Sequence, residues 1–143
     1  MQRLDSYIWI TVNSDGSTVS TVVSGSKFTL NLSPAIDLGK GNHEIALHSL
    51  SISPTVAPHR ILVYCNLVQP QHINNTKFQL MRAIGYSPVA DIQSYELGSS
   101  LQWMKMAEIR NISQIEFTIA DATGNAIICT APTLIVLAIR DID

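Results

Sequence analysis

Arg60-Ile-Leu-Val-Tyr-Cys-Asn-Leu-Val68 is apolar on both sides of a strand: Leu62, Tyr64 and Val68 fall on one face, and Ile61, Val63, Cys65 and Leu67 on the other. A strand with one wet side alternates apolar and polar residues, so neither face of this run is written for open water. Thr133-Leu-Ile-Val-Leu-Ala-Ile-Arg140 repeats the pattern, with Leu134, Val136 and Ala138 opposite Ile135, Leu137 and Ile139. One face of such a strand enters the core of a two-layer domain, and the other requires a second layer or another molecule. The pattern therefore predicts assembly.

Other short runs surround these two. Tyr7 to Val12 and Thr18 to Val23 flank Ser14-Asp-Gly-Ser17, and an Asp-Gly turn predicts a hairpin pairing Val12 with Val19, Ile10 with Thr21 and Ile8 with Val23. Lys27 to Leu32 alternates, with Phe28, Leu30 and Leu32 inward, and Ser33-Pro34 is expected to end it. Residues 35 to 42 read as a loop before a long strand, His43 to Ile52, stopped by Ser53-Pro54. Phe78 to Ile84, Asp91 to Leu97 and Leu101 to Ala107 are further candidates. Gln114 to Ile119 places Ile115, Phe117 and Ile119 inward, Asp121 to Asn125 turns, and Ala126 to Thr130 is expected to return as its partner. Turn signals about every ten residues, with no helical stripe, predict an all-β sandwich or jelly roll.

At 143 residues, positions 1–143 form one domain, long enough to bury roughly 70% of the unfolded surface without staples. Hydrophobic residues make up 46% and charged residues 14%, against about 25% charged in ordinary soluble domains. Low charge again predicts occluded surface. A net charge of -2 with no Lys/Arg run excludes a basic arm, so no direct nucleic-acid contact is expected. No apolar run reaches the ~18 residues of a membrane span, and the start of the chain, Met1 to Asp5, has no secretory pattern. A soluble, reducing compartment is expected, with Cys65 and Cys129 as free thiols in apolar runs and the sequons at Asn31, Asn74 and Asn111 as chance.

Chemistry has few anchors. His43 and His48 lie five apart on one strand, hence on opposite faces, and neither His59 nor His72 completes an i, i+2 metal pair. No Gly-x-Ser-x-Gly elbow, phosphate-cradling glycine pattern or cysteine nucleophile signature occurs. Glu96, Glu108, Glu116 and Asp121 are scattered, and Asp121-Ala-Thr-Gly-Asn125 has too few acids for a calcium loop and reads as a β-turn. No enzyme, metal or cofactor is expected. Trp103, Met104 and Met106 form a cluster on alternate faces of one segment, either a partner contact or core filling.

The ordered set Phe28-Thr-Leu-Asn-Leu-Ser-Pro34, His43-Glu-Ile-Ala-Leu47 and Ser53-Pro54 resembles the early strands of the single jelly-roll penton (minor capsid) proteins of virophages and Polinton or Maverick-type viruses. Val63-Tyr-Cys-Asn-Leu-Val68 with Gln71 and Leu80-Met-Arg82, then Ile115-Glu-Phe-Thr-Ile119, Asp121, Gly124 and Thr133-Leu-Ile-Val-Leu137, are similar to its later strands. His43 stands where that family carries tryptophan-like bulk. The resemblance implies a single jelly-roll β-sandwich of about eight antiparallel strands. It implies a structural subunit forming homo-pentamers at the vertices of an icosahedral virion, beside a double jelly-roll major capsid protein, made in the cytoplasm or nucleus of a host cell. For the ring contacts the residues expected are Arg60, Tyr64 and Asn66 along one strand, with Trp103 and Met106 as anchors. The alternative is a soluble β-sandwich binding module, lectin-like or a receptor-binding knob. It requires an exposed aromatic and carboxamide site, which no run of the sequence marks.

Overall fold

A computed structural model describes residues 7–23, 25–39, 41–55, 60–73, 76–85, 93–98 and 100–142. Met1 to Asp5, His59, Asn74 and the start of the Asp91 to Leu97 run lie outside them. Twelve strands follow in order: β1 (Ile8–Asn13), β2 (Val19–Val23), β3 (Lys27–Asp37), β4 (Asn42–Ile52), β5 (Ile61–Cys65), β6 (Gln71–Ile73), β7 (Thr76–Phe78), β8 (Leu80–Ile84), β9 (Gln93–Glu96), β10 (Met104–Lys105), β11 (Asn111–Ala120) and β12 (Leu134–Ile142). They build an antiparallel β-sandwich. The first sheet runs β1-β12-β4-β10, with β9 also on β4, and the second runs β2-β3-β11-β5-β8. A small hairpin, β6-β7, stands apart, and Gln79 ties its base by donating Nε2 to the carbonyls of Asn66 and Val68, both at 2.9 Å.

Period-2 alternation sends one face of each sheet into a shared core. Ile10, Val12, Ile45, Leu47, Leu50, Ile52, Ile135, Leu137 and Ile139 come from the first sheet; Phe28, Ile61, Val63, Cys65, Met81, Ile115, Phe117 and Ile119 come from the second. Phe28 and Phe117 are cross-strand partners with ring centroids 5.4 Å apart, both 1% exposed. Burying each such side chain contributes about 1.5–3 kcal/mol.

Four sequence expectations are corrected. The β1–β2 hairpin does not form: Ile8, Ile10 and Val12 pair with Ile139, Leu137 and Ile135 of β12, whereas Val19 and Thr21 pair with Leu30 and Phe28 of β3. The turn at Asp15-Gly16 is present, but it carries the chain from one sheet to the other. Buried Ser14 fixes that crossing: its N–H donates to the Thr133 carbonyl at 2.9 Å, and its Oγ accepts the Thr133 N–H at 2.8 Å. Val12 and Val19 both still pack in the core, approaching it from facing sheets rather than along one ladder.

Second, Ser33-Pro34 does not end its strand. β3 continues to Asp37 because the register against β11 shifts between Ile112 and Gln114, so residues 32 to 35 bulge where Pro34, lacking an N–H, is not asked for a ladder bond. Third, the strand starting at Ile61 stops at Cys65. Asn66 still donates its backbone N–H to the Glu116 carbonyl at 3.2 Å, but its side-chain Oδ1, not its carbonyl, accepts the Glu116 N–H, at 2.8 Å, and the chain turns before Val68. Phe78 accordingly belongs to β7 and not to the following strand. Fourth, Ala126 to Thr130 makes no strand. After one bridge from Ala126 to Ala120 it crosses to the end of β4, where Thr55 N–H donates to Ile128 and Thr130 N–H to Ser53, both at 2.8 Å.

Candidate functional site

The outward residues of the first sheet fall into rows set by register: Trp9 beside Ala138 and Ala46, Thr11 beside Val136 and Ser49, and Arg140 beside Glu44 and Lys105. Trp103 continues the alanine row, one residue beyond the Met104–Ile45 pair. Ala46 and Ala138 are fully buried although they point away from the core. Trp9 and Trp103 flank them in the same row. Tyr7 lies 5.2 Å from Trp103, edge to face at 69°, and 6.0 Å from Trp9; Trp9 meets the His48 ring at 5.1 Å and 87°. Such contacts contribute about 0.5–1.5 kcal/mol each beyond area burial.

Two devices hold these rings. Arg140 places its guanidinium 4.0 Å from the Trp103 centroid and donates Nε and Nη2 to one Glu44 oxygen at 2.9 and 2.7 Å, so the open side of Trp103 is capped by a cation that is itself neutralised. His48 sits where the β4–β12 register shifts, so that it and Ser49 both face outward. Gly98 abuts it: a Cβ there would stand 2.7 Å from His48 Nε2. Trp9 is left 46% exposed, an indole held in place yet open to solvent.

The outward face of the second sheet is more open. Half-buried Tyr64 packs on Phe78 at 5.9 Å, beside a shallow depression of about 190 Å³ that Asn66, Lys77, Gln79, Glu116 and Thr118 also line. A third feature is a groove of about 440 Å³ at one end of the sandwich, lined by residues that include His43, Gln69, Lys105, Glu108 and Arg110. In its wall buried His43 holds Nε2 2.6 Å from Asp141 Oδ1.

The residues selected from sequence are thus divided. Tyr64 and Asn66 share the outer face of the second sheet, and Arg60 is exposed at the far end of the same strand, about 20 Å from Asn66. Trp103 lies on the opposite side of the sandwich. Met106 is 5% exposed and packs in the core, as does half-buried Met104, so neither is free to anchor a partner on this chain. Tyr7, Trp9, His48, Glu44 and Arg140 were not selected. One signal was available: Trp9 occupies an outward position of Ile8-Trp-Ile-Thr-Val12, where alternation calls for a polar residue.

The remaining polar chemistry is local. Asp121 Oδ1 accepts from Thr123 Oγ1 at 2.6 Å and from the N–H groups of Thr123 and Asn125, which spends the carboxylate on a turn and holds its pKa below the usual value, chiefly through Thr123. Both cysteines are free. Burial pushes the Cys65 thiol up to about 12 and raises Cys129 as well. Among the described residues no cluster of three His, Cys, Asp or Glu side chains could hold a metal ion, and no helix is long and apolar enough to cross a membrane. No protein-family model matches the chain, and no curated protein matches it.

Proposed function

We propose that this chain is a structural capsid subunit, a single jelly roll of which five copies close a ring at the vertex of an icosahedral shell otherwise built of double jelly-roll subunits. The strand order carries the reading. Apart from β2 and the small β6-β7 hairpin, the chain changes sheet at each step except between β5 and β8, which pair directly, and between β9 and β10, so that β1, β4, β9/β10 and β12 lie in one sheet and β3, β5, β8 and β11 in the other, an order that supports a jelly roll. β2 is an addition beside β3.

The penton-like motifs fall on β3, β4, β5, β11 and β12, the inner strands of that order, and on β8 at the edge of the second sheet. A closed ring joins one side of each subunit to a different side of the next. Residues on opposite faces, such as Tyr64 and Trp103, can then both meet neighbours. The reading assigns no catalytic residue, cofactor or nucleic-acid contact, and places the chain in the virion.

Sedimentation at tens of micromolar protein, in low and in high salt, tests it. A single species of five subunits in both conditions is expected, because largely apolar contacts are little screened by salt. A monomer throughout, together with failure to join shells when co-expressed with a double jelly-roll capsid protein, overturns it.

A second reading, a carbohydrate-type binding module, is favoured by one specific observation, the rigid half-exposed indole of Trp9.

A further inference from the structure

From the outer face of the first sheet we infer a saccharide-stacking site: Trp9 presents its indole to the apolar face of a neutral pyranose, and His48, Thr11, Ser49 and Glu96 supply the polar rim. The inference stands independently of the capsid reading.

Trp9 differs from the other rings of its cluster. Trp103 is half-buried and closed by Arg140, and Tyr7 is half-buried between the two indoles. Trp9 alone of these three aromatic residues is exposed, at 46%, while its orientation is fixed by β1–β12 pairing on one side and by His48, backed by Gly98, on the other. Binding at a ring already held still costs little side-chain entropy.

The surroundings define the ligand. The adjoining row holds Thr11, Val136, Ser49 and Glu96, and the row after it Asn13, Leu134, Ser51 and Ser94. Leu134, the next exposed large apolar residue on this face, lies four residues along β12 from Ala138, about 13 Å away. A protein partner needs a broad apolar core, and here it would meet one exposed ring bordered by half-buried Val136, by hydroxyls and by a carboxylate. A pyranose fits that distribution. Its C–H face carries the partial positive charge that the negative face of an indole attracts, and its hydroxyls reach outward to donors and acceptors. Glu96 in the rim, with Arg140 committed to Glu44, selects a neutral sugar over an anionic one.

The two tryptophans make the test internally controlled. The nitrogen-15-labelled protein is titrated with the methyl glycosides of β-galactose, α-mannose, β-glucose and N-acetyl-β-glucosamine, and with N-acetylneuraminic acid as the anionic control. With at least one neutral glycoside the Trp9 indole N–H signal should move and saturate with a Kd of about 1 mM, as expected of one stacking contact and a few exposed hydrogen bonds, while the Trp103 signal stays still. Trp9→Phe should weaken binding, and Trp9→Ala should weaken it about tenfold or more. The inference is overturned if no neutral glycoside at ~50 mM moves the Trp9 signal. It also fails if only the anionic sugar acts, if both indoles shift together, or if Trp9→Ala binds as before. Should Trp9→Ala not fold, Trp9→Phe and the contrast between the two indoles decide.

Discussion

β12 and β5 carry the same message in sequence, apolar on both faces, and the fold answers it in two ways. On β12 the chain itself closes one end of the second face: Ala138 and Ala46 are fully buried in the row flanked by Trp9 and Trp103, Tyr7 joins the two indoles and Arg140 clamps Trp103, while Leu134 at the other end stays exposed. The second face of β5 keeps Leu62 and Tyr64 half-buried, with Phe78 as Tyr64's aromatic neighbour and a shallow depression alongside. Two-sided apolarity therefore shows that a strand needs a cover without saying who supplies it. Small residues decide the matter on β12, because alanines leave room for large rings from other strands to lie flat across the sheet. Leu62 and Tyr64 leave no such room.

Trp103→Ala tests the self-cover most severely. It removes the ring that roofs the alanine row and leaves Arg140 without its aromatic partner, so a loss of about 2–3 kcal/mol is expected in urea unfolding. A loss below ~1 kcal/mol would mean that Tyr7 and Trp9 cover the row unaided.

The inner face of β5 gives the next largest effect. Cys65, on the core side of Tyr64, has its thiol pushed from an ordinary 9.0 to about 12 by burial. The folded state therefore retains a proton that the unfolded chain releases above pH 9. Stability from this group is complete below pH 9 and declines as pH rises toward 12, by about 1 kcal/mol per pH unit. Between pH 8 and 10.5 the unfolding midpoint of the native chain should fall more steeply than that of Cys65→Ala, narrowing the gap between them. Parallel curves would place the thiol in contact with water. At pH 8 a thiol reagent should reach half-buried Cys129 before Cys65.

A smaller effect belongs to the clamp on the first sheet. Arg140→Leu and Glu44→Gln should each cost about 1 kcal/mol, since the pair is partly buried and also orients the cation over Trp103. Both should shift Trp103 fluorescence while sparing Trp9. An unchanged spectrum would detach the ion pair from the ring.

What the sequence made legible follows from range. Alternation within β4, β5, β11 and β12 places Ile45, Val63, Phe117 and Leu137 inward because that period is a property of each strand alone. Partner choice is not local. Asp15-Gly16 reads as a hairpin turn, yet β1 goes to β12, more than a hundred residues away, because Ile135, Leu137 and Ile139 offer Ile8, Ile10 and Val12 a longer apolar ladder than β2 does. The same limit hides the aromatic cluster. Tyr7, Trp9, His48, Trp103 and Arg140 are scattered along the chain and meet only once β1, β12, β4 and β10 are side by side. Sequence bulk picked out Trp103, but its role depends on two alanines and an arginine from other strands. Met106, chosen on the same grounds, turns into the core because it follows Trp103 at an odd spacing.

Tyr64→Ala should have the smallest effect on the isolated chain and the most telling one on its assembly. Tyr64 is half-exposed and its aromatic contact, Phe78, is itself 36% exposed, so truncation should lower the unfolding midpoint by no more than about 1 kcal/mol at submicromolar protein. Under the proposed ring this face is where β5 obtains its second cover, from a neighbour. At tens of micromolar the variant should then sediment as smaller species than the native chain, while Trp103→Ala, once folded, alters assembly less than it alters stability. The opposite pairing, a large drop in midpoint with unchanged assembly, would mean that β5 is covered from within like β12. The docking surface would then have to be sought at the ends of the sandwich, where the His43 groove opens.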